Sequence, residues 1–380
     1  MSEHIFMTGG TGLVGSFLIP RLLRGFPGST IALLVRSTRE RTAHERIADL
    51  AAHLRDVHGF GDASRRLQAL PGDVGRPDLG LDTRTRAELQ DRATWIIHGA
   101  ATIRFDSPLA DARATNTEGT RRVLDLALGC RALQRLAYIG TSSVSGDRAG
   151  IVREDELERG QVFFNTYEQS KCESERLIRD HADRLPVVIF RPSIIIGDSR
   201  TGYTTLFNVI YIPLRLIDSG TLDTIPARGD TLLDLVPVDW VTDAMVYLMR
   251  QGESVGRAFH LTAGPSRAEH LEDLLRRAVT YFDREHPLSR PRNVRIVSPA
   301  AFEDHRKQLS GAARALADQL GALFPYVSVN RLFDTSNADA LLRTGGIEFP
   351  RFSTYADRIF EFCLHTRWGK RLPAGPPATG

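Results

Sequence analysis

A tyrosine and a lysine stand four positions apart in the stretch from Tyr167 to Lys171. On a helix, residues at this spacing lie on one face. A lysine ammonium stabilises a neighbouring phenolate and so lowers the pKa of the tyrosine. Such a tyrosine can exchange a proton with a substrate oxygen near neutral pH. An ordinary amphipathic helix also fits the pattern, but Lys171 is one of three lysines among 49 Lys and Arg residues.

A hydroxyl side chain, that of Thr141, follows the predicted strand Leu136–Gly140. Ligands of parallel sheets bind in the crevice at the carboxyl ends of the strands, so Thr141 can reach the same site as the tyrosine. Ser142 and Ser143 compete for this role, although the alternation of side chains along a strand turns Ser142 to the other face. We therefore predict that Thr141 forms a catalytic set with the tyrosine and the lysine.

A glycine-rich turn separates the first predicted strand, His4–Met7, from the predicted helix Leu13–Arg24. Gly9, Gly12 and Gly15 follow the spacing G-x-x-G-x-x-G. One glycine permits the tight turn, one lets the backbone approach a pyrophosphate, and one lets the helix pack closely on the strand. The positive end of the helix then faces the pyrophosphate. A turn without a ligand is the alternative, but between a strand and a helix the pattern predicts dinucleotide binding.

An arginine, Arg36, ends the second predicted strand, 21 positions after Gly15. An NAD-preferring site often carries Asp or Glu here, and an acidic side chain would repel a 2′-phosphate. A guanidinium binds that phosphate through a planar fork of donors. We therefore predict NADPH as the cofactor, with Arg36 as a ligand and Arg46 as a further candidate. Arg39 and Arg41 are interpreted as solvated surface residues.

Short β-rich runs alternate with helical patterns over about the first 200 residues. This alternation indicates a parallel sheet with helices on both faces. We predict an α/β fold: a Rossmann-type doubly wound parallel sheet with a smaller, mostly helical C-terminal substrate domain. The expected parts are an NADP-binding domain over 1–197, rejoined by about 231–264, a substrate-binding subdomain over 198–230 and 265–371, and a flexible tail over 372–380.

Composition excludes several classes of protein. The 380 residues are 42% hydrophobic and 25% charged, which is typical of globular proteins and excludes wholesale disorder. There is no run of about 18 apolar residues and no secretory leader, so we expect a cytoplasmic protein without a transmembrane segment. The net charge of +3 gives no reason to expect nucleic acid. Three dispersed cysteines, and no pair of side chains at metal-ligand spacing, predict neither disulfides nor a metal.

Two other features receive structural interpretations. His98 ends an apolar predicted strand, and we interpret it as a packed or helix-capping residue and not as a catalytic one. The apolar stretch Leu206–Leu214 could line an acyl tunnel or touch a membrane. A buried helix is the more typical structure for such a segment, and we predict one there.

Taken in chain order, the motifs resemble those of an extended short-chain dehydrogenase/reductase over about residues 4–265. The resembling motifs are the three-glycine loop, Gly72-Asp73-Val74, Gly99-Ala100-Ala101, Asn116, Thr141, Tyr167-x-x-x-Lys171 and Arg191-Pro192-Ser193. The resemblance implies contacts of Asp73 and Val74 with adenine, and of Lys171 with the nicotinamide ribose. The expected cofactor-binding residues are Gly9, Thr11, Gly12, Leu13, Val14, Gly15, Arg36, Arg46, Asp73, Val74, Ala100, Ala101, Asn116, Tyr167, Lys171, Pro192 and Ser193.

Several stretches resemble the thioester reductase branch of that superfamily, which includes fatty acyl-CoA reductases and the terminal reductase domains of carboxylic acid reductases and nonribosomal peptide synthetases. They are Leu34-Val35-Arg36, the helical insertion Ala43–Val57, His98–Ala101 followed by Phe105, Asn116–Thr120, Ile196–Gly202 and Phe333–Asn337. The resemblance implies an NADPH-dependent reductase of an acyl thioester supplied in trans by coenzyme A or a carrier protein. The product would be an aldehyde, with further reduction to an alcohol left open.

Two other functions remain open. An NADP-dependent hydroxyl/ketone dehydrogenase or epimerase, acting on a sterol-like or sugar-nucleotide substrate, would use the same residues. Sugar-nucleotide members often carry Tyr-Gly where this chain has Ser145-Gly146, which counts against a sugar substrate. A cofactor-sensing binding protein without turnover is the third hypothesis, although it has no need of an acidified tyrosine. The acyl chain, its donor and the oligomeric state stay open.

Overall fold

A computed structural model of the chain describes residues 3–308, 310–321 and 324–373. The strands are β1 (His4–Thr8), β2 (Thr30–Val35), β3 (Leu67–Pro71), β4 (Trp95–His98), β5 (Arg135–Ile139), β6 (Gly150–Val152), β7 (Val187–Pro192), β8 (Ile194–Ile196), β9 (Thr224–Pro226), β10 (Leu232–Leu233), β11 (Leu235–Pro237), β12 (Ala258–Leu261), β13 (Glu269–His270), β14 (Arg295–Val297) and β15 (Arg331–Phe333).

Helices connect most of these strands. They are α1 (Leu13–Gly25), α2 (Ala43–His58), α3 (Ala63–Arg66), α4 (Thr83–Arg92), α5 (Leu109–Thr115), α6 (Thr117–Leu128), α7 (Thr166–Arg179), α8 (Tyr211–Asp218), α9 (Val238–Arg250), α10 (Leu271–Glu285), α11 (Pro299–Gln308), α12 (Gly311–Gly321), α13 (Pro325–Ser328), α14 (Ser336–Thr344) and α15 (Ala356–His365). Within the described ranges, no helix has the length and apolar character needed to cross a membrane.

Seven parallel strands form the central sheet in the order β12-β7-β5-β4-β1-β2-β3. The chain moves outward from β1 to β3 and then returns to β4, on the other side of β1. The strand order therefore reverses between β1 and β4, and ligands of such sheets bind in the crevice at this switch point. The predicted Rossmann-type doubly wound sheet is confirmed.

Both faces of the sheet are covered, because its strands are apolar on both sides. All four residues of β4 and all six of β7 are buried. Successive side chains on β1 point to opposite faces, so Met7 packs in one core with Leu22 of α1 and Met245 of α9. Phe6 packs in the other core, with Val123 of α6 and Ile178 of α7. In the sequence, strands that are buried on both faces are continuous apolar runs.

A separate core forms in the C-terminal half of the chain. Phe282 of α10 and Phe360 of α15 lie 5.3 Å apart between ring centroids and pack with Tyr211 of α8. Short strand pairs flank this core: β8 with β11 and β9 with β14 are parallel, and β10 with β13 is antiparallel. The pair β6 and β15 joins the C-terminal segment to the loop before α7. This arrangement brings residues after position 200 to the mouth of the central crevice.

The prediction of one helix over Leu206–Leu214 is wrong in its first half, because α8 begins at Tyr211. Pro213 explains the late start. Proline lacks an N–H donor and is tolerated in the first turn of a helix but not further inside. Before the helix, the backbone N–H of Leu206 donates to the Thr204 hydroxyl, and Val209 has a positive φ of 42°. The segment is therefore a turn-rich loop.

Other differences are of position. The sequence also predicts one or two helices over Phe302–Leu323; the structure has α11 and α12 in this region, and Leu323 lies outside the described residues. Residues 374–380 of the predicted tail also lie outside them. The division of the chain into domains stays a prediction.

Candidate active site

A cavity of about 560 Å³ lies at the carboxyl ends of β1, β2, β4, β5 and β7. It occupies the switch point between β1 and β4. Most of the residues predicted for the site line it: Gly9, Thr11, Gly12, Leu13, Val14, Gly15, Arg36, Arg46, Asp73, Val74, Ala100, Ala101, Thr141, Tyr167, Lys171, Pro192 and Ser193. The structure therefore brings together residues that are spread over more than 180 positions of the sequence.

The glycine loop is shaped to leave open space in this cavity. Gly9 has a φ of +78°, and a Cβ there would lie 2.6 Å from the carbonyl carbon of Gly99. A Cβ on Gly15 would lie 2.6 Å from the Cα of Gly10. At Gly12 a Cβ would meet only the Gly9 carbonyl oxygen, at 3.5 Å. Gly9 and Gly15 are thus required by the loop itself, whereas Gly12 keeps the cavity open.

The backbone N–H groups at the N-terminus of α1 lie beside the same cavity. Gly12 is the N-cap residue and provides no side chain to bond the first N–H groups. The first turn also contains no acidic residue. Leu13 and Val14, which line the cavity, therefore keep N–H groups available beside the positive end of the helix. This geometry fits the pyrophosphate of a dinucleotide.

Two guanidinium groups lie at the β2 side of the cavity. Arg46 donates to the carbonyl oxygen of Arg36 at 2.7 Å and to the hydroxyl of Thr11 at 2.9 Å. The Arg36 side chain is 71% exposed and lies 3.9 Å from the Asp73 carboxylate. The end of β2 is thereby joined to the glycine loop. Arg41 is exposed and paired with an aspartate, so it fits its interpretation as a surface residue.

Thr141 and Tyr167 both line the β5 side of the cavity. Thr141 follows β5, and its hydroxyl accepts the Ser143 N–H at 3.2 Å and lies close enough to Tyr167 to affect its pKa. A substrate oxygen between the two hydroxyls could accept a hydrogen bond from each. Ser143 lines the cavity as well, whereas Ser142 is buried outside its lining.

Lys171 is buried below Tyr167, with 4% of the residue exposed. Its Nζ donates to the carbonyl oxygen of Ile139 at 2.8 Å. Burial lowers the pKa of Lys171 to about 7. Burial also raises the pKa of Tyr167 to about 12, opposite to the direction predicted from the lysine. Burial outweighs the lowering effect of the Thr141 hydroxyl, and the charge of Glu168 raises the pKa of Tyr167 further.

The start of α7 is set by side chains that flank the tyrosine. Asn165 caps the helix by accepting the Glu168 N–H at 3.0 Å. The buried Glu168 carboxylate accepts the Phe164 N–H at 3.0 Å and the Tyr326 hydroxyl at 2.8 Å. Tyr326 in turn accepts a hydrogen bond from the Asn165 amide at 2.9 Å. Tyr167 therefore occupies a first turn that the C-terminal segment holds in place.

His98 organises the loop after β4 from beneath. Gly99 and Ala100 donate their N–H groups to the Thr8 hydroxyl, at 3.2 and 3.1 Å. That hydroxyl therefore directs its own hydrogen to His98 Nδ1, at 2.8 Å. Burial lowers the pKa of His98 to about 3, so the ring is neutral and its Nε2–H donates to Thr120 at 3.0 Å. The interpretation of His98 as a packed residue is confirmed.

Asn116 requires a correction, because it is absent from the cavity lining and 1% exposed. Its side-chain oxygen accepts the Thr102 N–H at 2.8 Å. Its amide nitrogen donates to the Thr102 carbonyl at 3.1 Å and to Ser170 at 2.9 Å. All polar atoms of the amide are engaged, so Asn116 ties the loop after β4 to α7 and has no group directed at a cofactor.

Sequence reasoning missed Tyr326, which lines the cavity opposite the glycine loop. Its ring stacks on Phe105, with centroids 5.8 Å apart, and Phe105 lies 5.9 Å from the Tyr167 ring. Tyr326 sits in the one-turn helix α13, and no local pattern distinguishes it. Its role depends on contacts that join positions more than 150 residues apart.

Comparisons with known proteins agree with this site. Over 277 residues the chain is 30% identical to the fatty acyl-CoA reductase wat of Drosophila melanogaster, covering 64% of this chain and 53% of that protein. Over 377 residues it is 30% identical to the isonitrile lipopeptide synthase of Streptomyces coeruleorubidus, covering 98% of this chain and 25% of that protein. The chain thus spans about half the length of the first relative and a quarter of the second.

A solved structure, the terminal R domain from the myxalamid PKS-NRPS biosynthetic pathway, superposes with a TM-score of 0.79 at 27% identity, covering 96% of this chain and 91% of that one. The NAD-binding family described as male sterility protein matches residues 7–245, more than half of the chain. The glycine loop and the Tyr-x-x-x-Lys helix of this cavity lie in the matched region. The chain therefore belongs to this male sterility protein family and is an oxidoreductase of the extended short-chain dehydrogenase/reductase type.

Proposed function

We propose that the protein is an NADPH-dependent reductase of acyl thioesters. The observation that carries the proposal is that Thr141, Tyr167 and the buried Lys171 line one cavity together with the glycine loop. The similarity to a fatty acyl-CoA reductase and to a terminal R domain supports a thioester as the substrate. The donor of the acyl group is coenzyme A or a carrier protein.

The residues present fit a nicotinamide dinucleotide. The free N–H groups of α1 and the space left by Gly12 would hold the pyrophosphate. Asp73 and Val74 would contact adenine, and Ala100 and Ala101 would line the groove. Further along the cavity, beside β7, Pro192 and Ser193 would flank the nicotinamide. When bound, this group supplies the hydride of the reaction.

The arginines at the end of β2 support NADPH over NADH. Arg36 and Arg46 both line the cavity. Among the described residues, the carboxylate paired with Arg36 is that of Asp73, at 3.9 Å, and Arg46 donates to uncharged oxygen atoms. A 2′-phosphate would therefore find two cationic groups, each able to donate a planar pair of hydrogen bonds.

On the β5 side, the chain's own residues perform acid–base chemistry. Thr141 and Tyr167 would donate hydrogen bonds to the thioester carbonyl oxygen as negative charge develops on it. Tyr167 would then transfer its proton to that oxygen. Collapse of the resulting hemithioacetal would release the thiol and leave an aldehyde. A second reduction at the same residues would give an alcohol.

The remaining wall of the cavity supports an acyl group. Most of its side chains are apolar or aromatic: Ile103, Phe105, Leu206, Val209, Ile210 and Tyr326. Thr205 and Asn208 are polar, and none of the described residues of this wall is Asp, Glu, Lys or Arg. A sugar nucleotide carries a diphosphate that needs cationic or hydrogen-bonding partners when it leaves water. This wall therefore favours an acyl chain over the sugar-nucleotide alternative.

A thioester assay tests the proposal. Purified protein is given NADPH or NADH with a panel of acyl-CoA and acyl-carrier thioesters, and the products are identified. We expect oxidation of NADPH with formation of aldehyde or alcohol. Tyr167→Phe should lower turnover by about 10²–10⁴-fold, the usual contribution of a general acid, with cofactor binding retained. Cofactor binding without oxidation by any thioester, together with turnover of a ketone, would support the dehydrogenase alternative.

The arginine pair makes a second prediction. Arg36→Ala and Arg46→Ala should each weaken NADPH binding about tenfold, since one hydrogen bond to a charged group is worth about 1.5 kcal/mol. Binding of NADH should change little, because NADH lacks the 2′-phosphate. Arg39→Ala, an exposed neighbour outside the cavity, is the matched control. Equal losses for both cofactors, measured by fluorescence titration, would contradict this role.

The glycine loop makes a third prediction. Gly12→Ala should leave the melting temperature close to that of the wild type, because its Cβ meets only one atom at ordinary contact distance. It should nevertheless weaken cofactor binding, since the methyl group enters the cavity. Gly15→Ala should destabilise the fold by about 1–3 kcal/mol, because its Cβ overlaps backbone. If Gly12→Ala binds the cofactor normally, the pyrophosphate lies elsewhere.

A further inference from the structure

The Lys171 ammonium is surrounded by few groups that could replace water. It is buried under α7, and among the described residues its hydrogen-bond acceptor is the carbonyl oxygen of Ile139. An ammonium has three N–H donors, so two of them have no protein acceptor within the described residues. A buried charge requires partners to be stable.

The carboxylate of Glu175 compensates only part of the Lys171 charge: it raises the pKa of Lys171, but burial has the larger, opposite effect. Glu175, one turn later on α7, binds Arg191 through both oxygens, at 2.8 and 2.6 Å. One of these oxygens also accepts a hydrogen bond from Arg179 at 2.9 Å. On β4, His98 is neutral, and Tyr167 on α7 is uncharged because burial raises its pKa. Among the described residues, these groups therefore leave part of the Lys171 charge uncompensated.

The aromatic ring of Tyr138 acts as a further partner of the Lys171 ammonium. Nζ of Lys171 lies 4.3 Å from the centroid of that ring, which is 0% exposed. The face of an aromatic ring carries negative potential and attracts a cation, more strongly where water is excluded. The same ring lies near the imidazole of His98, with centroids 5.9 Å apart. Tyr138 and Ile139 are consecutive on β5, so the end of this strand presents both the ring and the carbonyl.

We infer that Tyr138 is a positioning residue for Lys171: its ring face holds the charged ammonium against the Ile139 carbonyl at the floor of the cavity. The two remaining N–H donors are then free for a bound ligand. This inference deepens the proposed function and rests on it for the role of Lys171 in catalysis. The contact itself is made by the ring, so a phenylalanine at this position preserves it.

The three lysines of the chain allow a direct test that needs no turnover. Protein labelled with ¹³C at lysine Cε should give three signals to assign, and the loss of one in Lys171→Arg identifies Lys171. Burial lowers the pKa of Lys171 to about 7, so its signal should titrate near neutral pH. In Tyr138→Leu we expect the midpoint to fall by about one pH unit, the size of a desolvated cation–π contact. In Tyr138→Phe it should stay in place.

Matched variants separate this role from packing. Leu136 lies two positions earlier on β5, in the same core cluster, so Leu136→Ala should lower the melting temperature without moving the Lys171 midpoint. If Tyr138→Leu does not fold, replacement by 4-fluoro- and 3,5-difluorophenylalanine keeps the shape of the ring but weakens its negative face. The midpoint should then fall stepwise with fluorination.

An unchanged midpoint in Tyr138→Leu, or in the fluorinated series, would overturn the inference. The titration follows Lys171 in the free protein, so its outcome is independent of the substrate. A protein that shows the expected shifts but reduces no thioester would refute the proposed function and leave the role of Tyr138 intact.

Discussion

The centre of the molecule depends on one constraint: the charge of Lys171 is held out of water where α7 packs on the end of β5. Burying an ammonium costs several kcal/mol unless nearby groups replace its hydration. The end of β5 supplies a carbonyl at 2.8 Å and an aromatic face, and α7 must lie across that end for the lysine to reach them. The buried pair of Arg191 and Glu175 joins α7 to β7 in the same region. The placement of Tyr167 follows, because the tyrosine lies one turn before the lysine.

The two ends of the cavity differ in chemistry, and this difference orients what binds there. At the β2 side, Arg36 and Arg46 present positive charge next to the glycine loop. Beyond Tyr167 the wall is apolar, and Phe105 and Tyr326 stack there. In the proposed function, the phosphorylated ribose of NADPH would lie at the first end and an acyl chain at the second. The reacting carbonyl would then lie between them, beside the Thr141 and Tyr167 hydroxyls. The order of polar and apolar groups along one crevice supports that proposal.

The sequence predicted those parts of the molecule that local patterns determine. β1 and α1 begin at the predicted residues His4 and Leu13, and each ends one residue later than predicted, because an apolar pattern indicates which residues are buried. The prediction of a helix over Leu206–Leu214 was wrong in its first half, because Pro213 limits how early α8 can begin. Tyr326 and the true partners of Asn116 could not be predicted, since they depend on how distant segments pack. The residues of the candidate site could be predicted because the spacing of the motifs depends on the chemistry of the site, although the roles of these residues stay proposals.

The central claim is that a hydride reaches the carbonyl carbon of a thioester in this cavity. The most direct measurement uses NADPH deuterated at nicotinamide C4 with an acyl-CoA or acyl-carrier thioester, followed by mass spectrometry of the product. The account predicts deuterium on the former thioester carbon of the aldehyde, or of the alcohol derived from it, formed about 10²–10⁴-fold more slowly with Tyr167→Phe. Deuterium found only on the carbinol carbon of a reduced ketone, with every thioester unchanged, would contradict it.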